Sequence, residues 1–477
     1  MKIKFKKDFW FGAASSGPQS EGSKNKVNKS IMETWYDQTP TDFFEGVGPD
    51  EVIDLYSRHT EAVELLDEIK LNSYRTSIQW SQLINNFETL EVNQDAVNFY
   101  RDYFKEVNAK GAKLVVNLFH FDMPTVLQEI GGWTNRKVVE LFEKYAKVCF
   151  ELFGDLVDYW STFNEPVVPV ELGYLYGVHY PKQTNFSEAL LAGHHTILAH
   201  AKVVNVFREV FKNQSKKQIA IILNLTPTYP KNDEAEHVNA ARIRDLLCNK
   251  TFLETAIFGR YPKELVTLLK NENLMPEFQK TDLEIIAKAK IDFLGVNFYQ
   301  PCRVQAPKPE NKDYPSPQRW FEEYILQKRR MNESRGWEIH PKTIYNIAMD
   351  IKNNYDNIPW YISENGMGAH NEEPFKNSDG IIQDDYRINF IKEHLYFLHK
   401  GIAAGSNCFG YHLWTLIDNW SWNNVFKNRY GFIEFNLKTK EFKVKSSGLW
   451  IKSVRENNNE FEIEESLIAL SEGNQNE

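Results

Sequence analysis

Eight short runs of apolar, β-branched and aromatic residues recur along this chain of 477 residues, and that recurrence limits its folds more than any other feature. The runs are Phe9–Ser15, Ser73–Ile78, Lys113–Phe119, Tyr159–Asn164, Gln218–Asn224, Ile291–Tyr299, Trp360–Glu364 and Phe409–Thr415. Between them lie segments with helical spacing, among them Val52–Ile69, Ala96–Lys110, Lys137–Phe153 and Leu190–Phe211. Short strands alternating with amphipathic helices build parallel β/α units. Eight such strands predict a closed (β/α)8 TIM barrel of the α/β class. The competing arrangement, a doubly wound sheet, carries a Gly-rich phosphate turn after its first strand. Here that strand leads into Gly12-Ala13-Ala14-Ser15-Ser16-Gly17-Pro18, without the G-x-G-x-x-G spacing.

The expected organisation is one catalytic barrel domain over residues 1–477, since α/β barrels run long as single units. The polar stretch near 305–335 reads as an insertion or lid after the sixth strand. The tail after about Arg455, a mixture of Asn, Glu and Ser, reads as frayed.

Composition narrows the function classes. Net charge is −9, from 56 Lys+Arg against 65 Asp+Glu, with no basic run. Nucleic-acid binders show a basic stripe, because neutralising phosphates drives their affinity, so no nucleic-acid partner is expected. No segment approaches the roughly 20 apolar residues of a membrane span. The apolar run after Asp8 is too short for a signal peptide. A cytoplasmic protein with no membrane partner is expected. Cys149, Cys248, Cys302 and Cys408 form no C-x-x-C pair and read as packing thiols. Metal chemistry is not expected: the step from His195 to His200 misses the i, i+4 spacing that sets two ligands on one helix face.

In barrel enzymes the reactive groups sit where strands end and βα loops converge. Two predicted strands finish on a carboxylate beside an asparagine: Ser161-Thr162-Phe163-Asn164-Glu165-Pro166 and Tyr361-Ile362-Ser363-Glu364-Asn365-Gly366. Glycoside hydrolysis needs two carboxyl groups flanking the scissile bond. A separation of roughly 5–5.5 Å gives retention through a covalent intermediate, and a wider gap admits water and gives inversion. Either motif alone could be an ordinary charge at a strand end; the pair is the stronger signal.

These motifs resemble those of glycoside hydrolase family 1. Phe11-Gly12-Ala13-Ala14 with Gln19, Tyr74 to Trp80, His120 to Pro124, Phe293 to Tyr299 and Tyr411 to Asn419 resemble further family motifs, in the family's order, from about residue 6 to 452. The resemblance implies that Glu165 protonates the leaving oxygen and that Glu364 attacks the anomeric carbon. It implies that Asn164 holds the sugar 2-hydroxyl and that Gln19, His120 and Trp414 line the glycone subsite. Tyr299 would hydrogen-bond the nucleophile, Arg75 would sit beside it, and Trp337 would form an aglycone platform, its alternative being packing beneath the insertion. No cofactor and no metal are implied. The division makes physical sense: an arginine beside Glu364 favours the carboxylate, whereas Glu165 must keep its proton near neutrality.

The loop Trp420-Ser421-Trp422-Asn423-Asn424-Val425-Phe426-Lys427-Asn428-Arg429-Tyr430 bears on the sugar. Family members acting on plain sugars resemble one another in a Glu where this chain has Ser421, and a carboxylate there would repel a 6-phosphate. The 6-phospho-β-glycosidase branch is similar to this chain in its serine and in Tyr430, but has a lysine where this chain has Asn428. Two readings stay open: Lys427, one residue earlier, supplies the cation, or Asn428 donates instead. The expected substrate is a phosphorylated disaccharide or other 6-phospho-β-glycoside, glucoside before galactoside, with Trp422 compatible with both. A glycosidase of plain sugars is the first alternative, and a silent carbohydrate-binding barrel the second. Oligomeric state is not legible.

Overall fold

The computed structural model describes residues 1–473 apart from 312, 315 and 316. Eight parallel strands close into a barrel: β1 (Trp10–Ala14), β2 (Ser73–Ser77), β3 (Lys113–Asn117), β4 (Tyr159–Asn164), β5 (Gln218–Asn224), β6 (Phe293–Asn297), β7 (Trp360–Asn365) and β8 (Cys408–Trp414). The last strand returns to the first, with Gly410 opposite Trp10 and Trp414 opposite Ala14. Every predicted run is a strand, displaced by at most two residues at either end. The expected (β/α)8 barrel is therefore the observed fold.

Helices return the chain between strands and cover the barrel. They include Leu55–Glu68, Gln94–Ala109, Arg136–Phe153 and Phe186–Val210 after the first four strands, and Lys342–Asn354, Asp385–Ala403 and Ser446–Glu456 after the last three. Their buried faces repeat at helical spacing, as in Val138, Leu141, Phe142, Tyr145, Cys149 and Phe153 of one helix. No helix among the described residues is long and apolar enough to cross a membrane. The four cysteines are all unpaired, with Cys149, Cys248 and Cys408 buried.

Aromatic side chains fill the lower end of the barrel. Trp10 lies 4.9 Å, centroid to centroid, from both Tyr159 and Phe409, and Tyr361 lies 5.5 Å from Phe409. All four stand at the starts of their strands, so the bottom is plugged and only the opposite mouth can hold a ligand. One layer up, Ser73 Oγ and His412 Nε2 are 2.8 Å apart. A Cβ on Gly12 would overlap both, so this close approach requires glycine.

After β6 the chain leaves the barrel over the region read as an insertion. Cys302–Gln305 pairs with Thr228–Pro230 and with Glu322–Glu323, and Met331–Asn332 forms a hairpin with Trp337–Glu338. Within that insertion, positions 312, 315 and 316 lie outside the described residues. The tail corrects an expectation. Past Arg455, Glu460–Glu462 pairs antiparallel with Lys2–Lys4, and helix Glu465–Gly473 follows. The polar composition hid two core side chains, Phe461 and Ile463, which are 5% and 1% exposed. Positions 474–477 of the tail lie outside the described residues.

Candidate active site

The strand-end motifs meet at the open mouth of the barrel. Arg75, in the middle of β2, is fully buried and so must be paired. Its Nη2 donates to Glu364 Oε1, and its Nη1 donates to Ser363 Oγ at 2.8 Å and Asn164 Oδ1 at 3.1 Å. Tyr299, just past β6, donates its hydroxyl to Glu364 Oε2 at 2.6 Å. The Glu364 carboxylate at the end of β7 is thus held at both oxygens.

Glu165 has different neighbours. Its Oε1 accepts from Asn297 Nδ2 at 2.7 Å, and the same amide donates to Asn164 Oδ1 at 3.0 Å. Its pKa is pushed from the ordinary 4.5 up to about 8: burial is the main cause, and the charge of Glu364 adds to it. The Asn297 hydrogen bond and Arg75 oppose the rise. Glu165 also sits at φ 47°, a left-handed conformation that non-glycine residues adopt at a cost and that concentrates at functional sites. His120 is pushed well below its usual range by burial and then by Arg75, so its imidazole is neutral.

These groups open onto a cavity of about 220 Å³. Of the predicted set, Gln19, His120, Asn164, Glu165, Tyr299, Trp337, Glu364, Trp414, Ser421, Trp422 and Tyr430 line it. Trp414 and Trp422 flank His120, with ring centroids 5.8 and 6.1 Å away. Gln19 is oriented by its amide N–H to the Trp420 carbonyl, 2.9 Å, and by Ser16 Oγ, 2.8 Å. Trp337 packs 5.1 Å from the Tyr299 ring and faces the cavity. Arg75 lies beneath the floor, acting through Glu364 and Asn164.

Lys427 and Asn428 are not brought into the cavity. Ser421 N–H donates to the Val425 carbonyl at 2.8 Å, and Lys427 N–H to the Asn424 carbonyl at 2.9 Å, which coils the loop into a tight turn. Phe426 then turns into the core, and Lys427 turns away, its Nζ 5.5 Å from the Phe44 ring centroid. Asn428 is buried behind the lining, its amide 3.4 Å from Asn424 Oδ1.

Three of the residues that the motifs did not single out bear on the chemistry of the site. Asn297 stands inside the Phe293–Tyr299 run and reads there as one more strand residue. Asn424 and Arg335 also line the cavity. A signal for Arg335 was its position two residues before Trp337 across a Gly-containing turn. The helix histidines have protein partners instead: His194 Nδ1 lies 2.8 Å from Tyr261 Oη, His195 Nδ1 2.9 Å from the Trp133 carbonyl, and His200 Nδ1 2.7 Å from Thr162 Oγ1.

The model of glycosyl hydrolase family 1 matches residues 1–460. Over 460 residues the chain is 49% identical to the 6-phospho-beta-glucosidase GmuD of Bacillus subtilis (strain 168), covering 95% of this chain and 98% of that one. It is 31% identical over 479 residues to a 6-phospho-beta-galactosidase of Lacticaseibacillus casei (strain BL23), covering 96% and 99%. The solved family 1 b-glucosidase from Thermotoga maritima superposes with a TM-score of 0.87 at 33% identity, covering 96% of this chain and 99% of that chain. With both strand-end carboxyls meeting in one cavity and the match running through nearly the whole sequence, this chain belongs to glycosyl hydrolase family 1 and is a glycoside hydrolase.

Proposed function

We propose that this enzyme cleaves 6-phospho-β-D-glycosides, glucosides before galactosides, with retention, Glu165 serving as acid and base and Glu364 as nucleophile. One observation supports the phosphorylated sugar most: Glu165 and Glu364 are the only carboxylates among the described residues lining the cavity. Ser421 and Tyr430 line it and bring hydroxyls where a further carboxylate would repel a phosphate. The two named phospho-glycosidase relatives agree with this reading. It also suits a cytoplasmic enzyme acting on phosphorylated disaccharides, the whole chain working as one catalytic domain.

The chemistry follows from the two environments. Glu364, held by its ion pair with Arg75, attacks the anomeric carbon as the bond to the leaving oxygen breaks. That oxygen takes the electron pair and the proton of Glu165. The glycosyl ester removes the charge of Glu364, and with it one of the two causes that raise Glu165. Glu165 becomes the stronger acid, ionised and ready to take a proton from water. The hydroxide attacks the same carbon, the ester bond breaks and Glu364 is released. Asn164 and His120 face the cavity to hold sugar hydroxyls, and His120 Nδ1 has no protein partner among the described residues.

The test compares kcat/KM for aryl β-glucoside 6-phosphate, aryl β-galactoside 6-phosphate and aryl β-glucoside, in the wild type and in Ser421→Glu. The expected wild-type preference for the phosphorylated glucoside over the plain one is about a hundredfold, equal to about 2.7 kcal/mol, and Ser421→Glu should reverse it. A wild type that prefers the plain glucoside would refute the phosphorylated substrate and leave the hydrolase.

A further inference from the structure

Arg335 is the one arginine or lysine among the described residues lining the cavity. It occupies the turn of the hairpin that joins Met331–Asn332 to Trp337–Glu338. The Asn332 carbonyl accepts from Arg335 N at 3.2 Å and from Gly336 N at 2.7 Å, and Gly336, at φ 73°, has the left-handed conformation that glycine favours. The turn is tied to the loop after β7: Asn332 Nδ2 donates to the Gly368 carbonyl at 3.0 Å, and His370 N to Ser334 Oγ at 3.0 Å. The guanidinium is therefore placed by a braced element rather than a loose loop.

Its immediate surroundings differ from those of the neighbouring arginines. Nearby Arg303 and Arg330 each hold a carboxylate, Glu338 and Glu393. Arg335 has no carboxylate partner among the described residues. Its guanidinium carbon lies 4.1 Å from the Trp337 ring centroid, and its charge acts on the neighbouring buried Tyr430 hydroxyl. Its Nε is buried without a hydrogen-bond partner. A fixed, uncompensated cation with an open N–H, beside a hydroxyl and facing a cavity, suits an anion brought in by a ligand. Lys427 cannot play this part from its place over Phe44, nor Asn428 from behind the lining.

We infer that Arg335 supplies the positive charge for the glycone 6-phosphate, together with the hydroxyls of Tyr430 and Ser421, in place of a lysine on the loop after β8. The inference rests on the phosphorylated-substrate reading above and extends it to a residue outside that loop. Arginine suits the task because its planar fork gives a phosphate two parallel N–H contacts.

The experiment measures the ratio of kcat/KM for aryl β-glucoside 6-phosphate to that for aryl β-glucoside, in the wild type, Arg335→Gln, Arg335→Lys and Lys427→Ala. Competitive inhibition by inorganic phosphate is measured alongside. Arg335→Gln should lower the ratio by roughly 10- to 100-fold, the worth of one or two hydrogen bonds to a charged group, with KM taking most of the change and phosphate inhibition weakening in parallel. Arg335→Lys, which keeps the charge without the fork, should recover part of the ratio. Equal losses on both substrates would show that Arg335 merely supports Trp337 and would overturn the inference. A larger fall in Lys427→Ala than in Arg335→Gln would also overturn it, while leaving phosphorylated specificity intact. A wild type that prefers the plain glucoside removes both readings together.

Discussion

Glu165 and Glu364 both end strands beside an asparagine, yet one is held by a guanidinium and a phenol and the other by a single amide. That difference makes a prediction at the level of one side chain. Folded Glu165 binds its proton up to about pH 8, whereas the unfolded chain releases it near 4.5. Between those values the folded state carries more protons, so its stability falls as pH rises, and the cost is complete above the higher value. Glu165→Gln removes the cost. Its Tm advantage over the wild type should be small near pH 5, grow through neutrality and level off above about pH 8. Thermal unfolding of both proteins across that range measures it, and an advantage that shrinks with rising pH would contradict burial as the dominant cause. The two glutamates were legible because each ends a strand-like run in a compact motif. Asn297 was not, because its bonds to Asn164 and Glu165 span more than 130 residues and exist only once the barrel closes.

Helix starts show how local chemistry sets an element. The apolar spacing marks helices from Ala96, Lys137 and Leu190, but they begin at Gln94, Arg136 and Phe186. In each case an asparagine just before the start accepts backbone N–H groups: Asn93, Asn135 and Asn185. Periodicity finds the buried face, and the cap decides where the first turn forms. Asn135→Ala removes the bond from Lys137 N, 2.9 Å, and should cost about 1 kcal/mol of stability. Denaturant unfolding would show this as a lower midpoint at unchanged slope, with kcat/KM retained because the cap lies away from the cavity. No change in midpoint would mean that tertiary packing alone fixes this helix. The loop after β8 was less legible for a related reason. Side-chain direction there follows a coiled turn with Val425 at φ 51°, so spacing alone could not tell that Lys427 faces Phe44.

At the scale of the whole molecule, barrel order was legible because eight parallel strands and their helices repeat one pattern, whereas contacts between chain ends leave no such period. The strand Glu460–Glu462 lies against Lys2–Lys4, Asn459 Nδ2 donates to the Lys6 carbonyl at 2.7 Å, and Phe5 N donates to the Asn459 carbonyl at 3.1 Å. Phe461 packs on Trp450 with centroids 5.7 Å apart. This clasp lies beside the start of β1, where the Phe5 ring packs 4.4 Å from Phe9 and 5.5 Å from Phe11, and the cavity opens at the other end of the barrel. A chain ending at Glu456 loses the burial of Phe461 and Ile463, two side chains whose loss from a core costs about 2–5 kcal/mol each. Its Tm should fall by about 5 °C or more, while the folded fraction keeps its kcat/KM, since every lining residue precedes the cut. A Tm within about 1 °C of the full chain would mean that the clasp is an appendage. A kcat/KM that falls with the folded fraction held constant would mean that anchoring β1 at its start also positions Gln19, one short helix beyond its end.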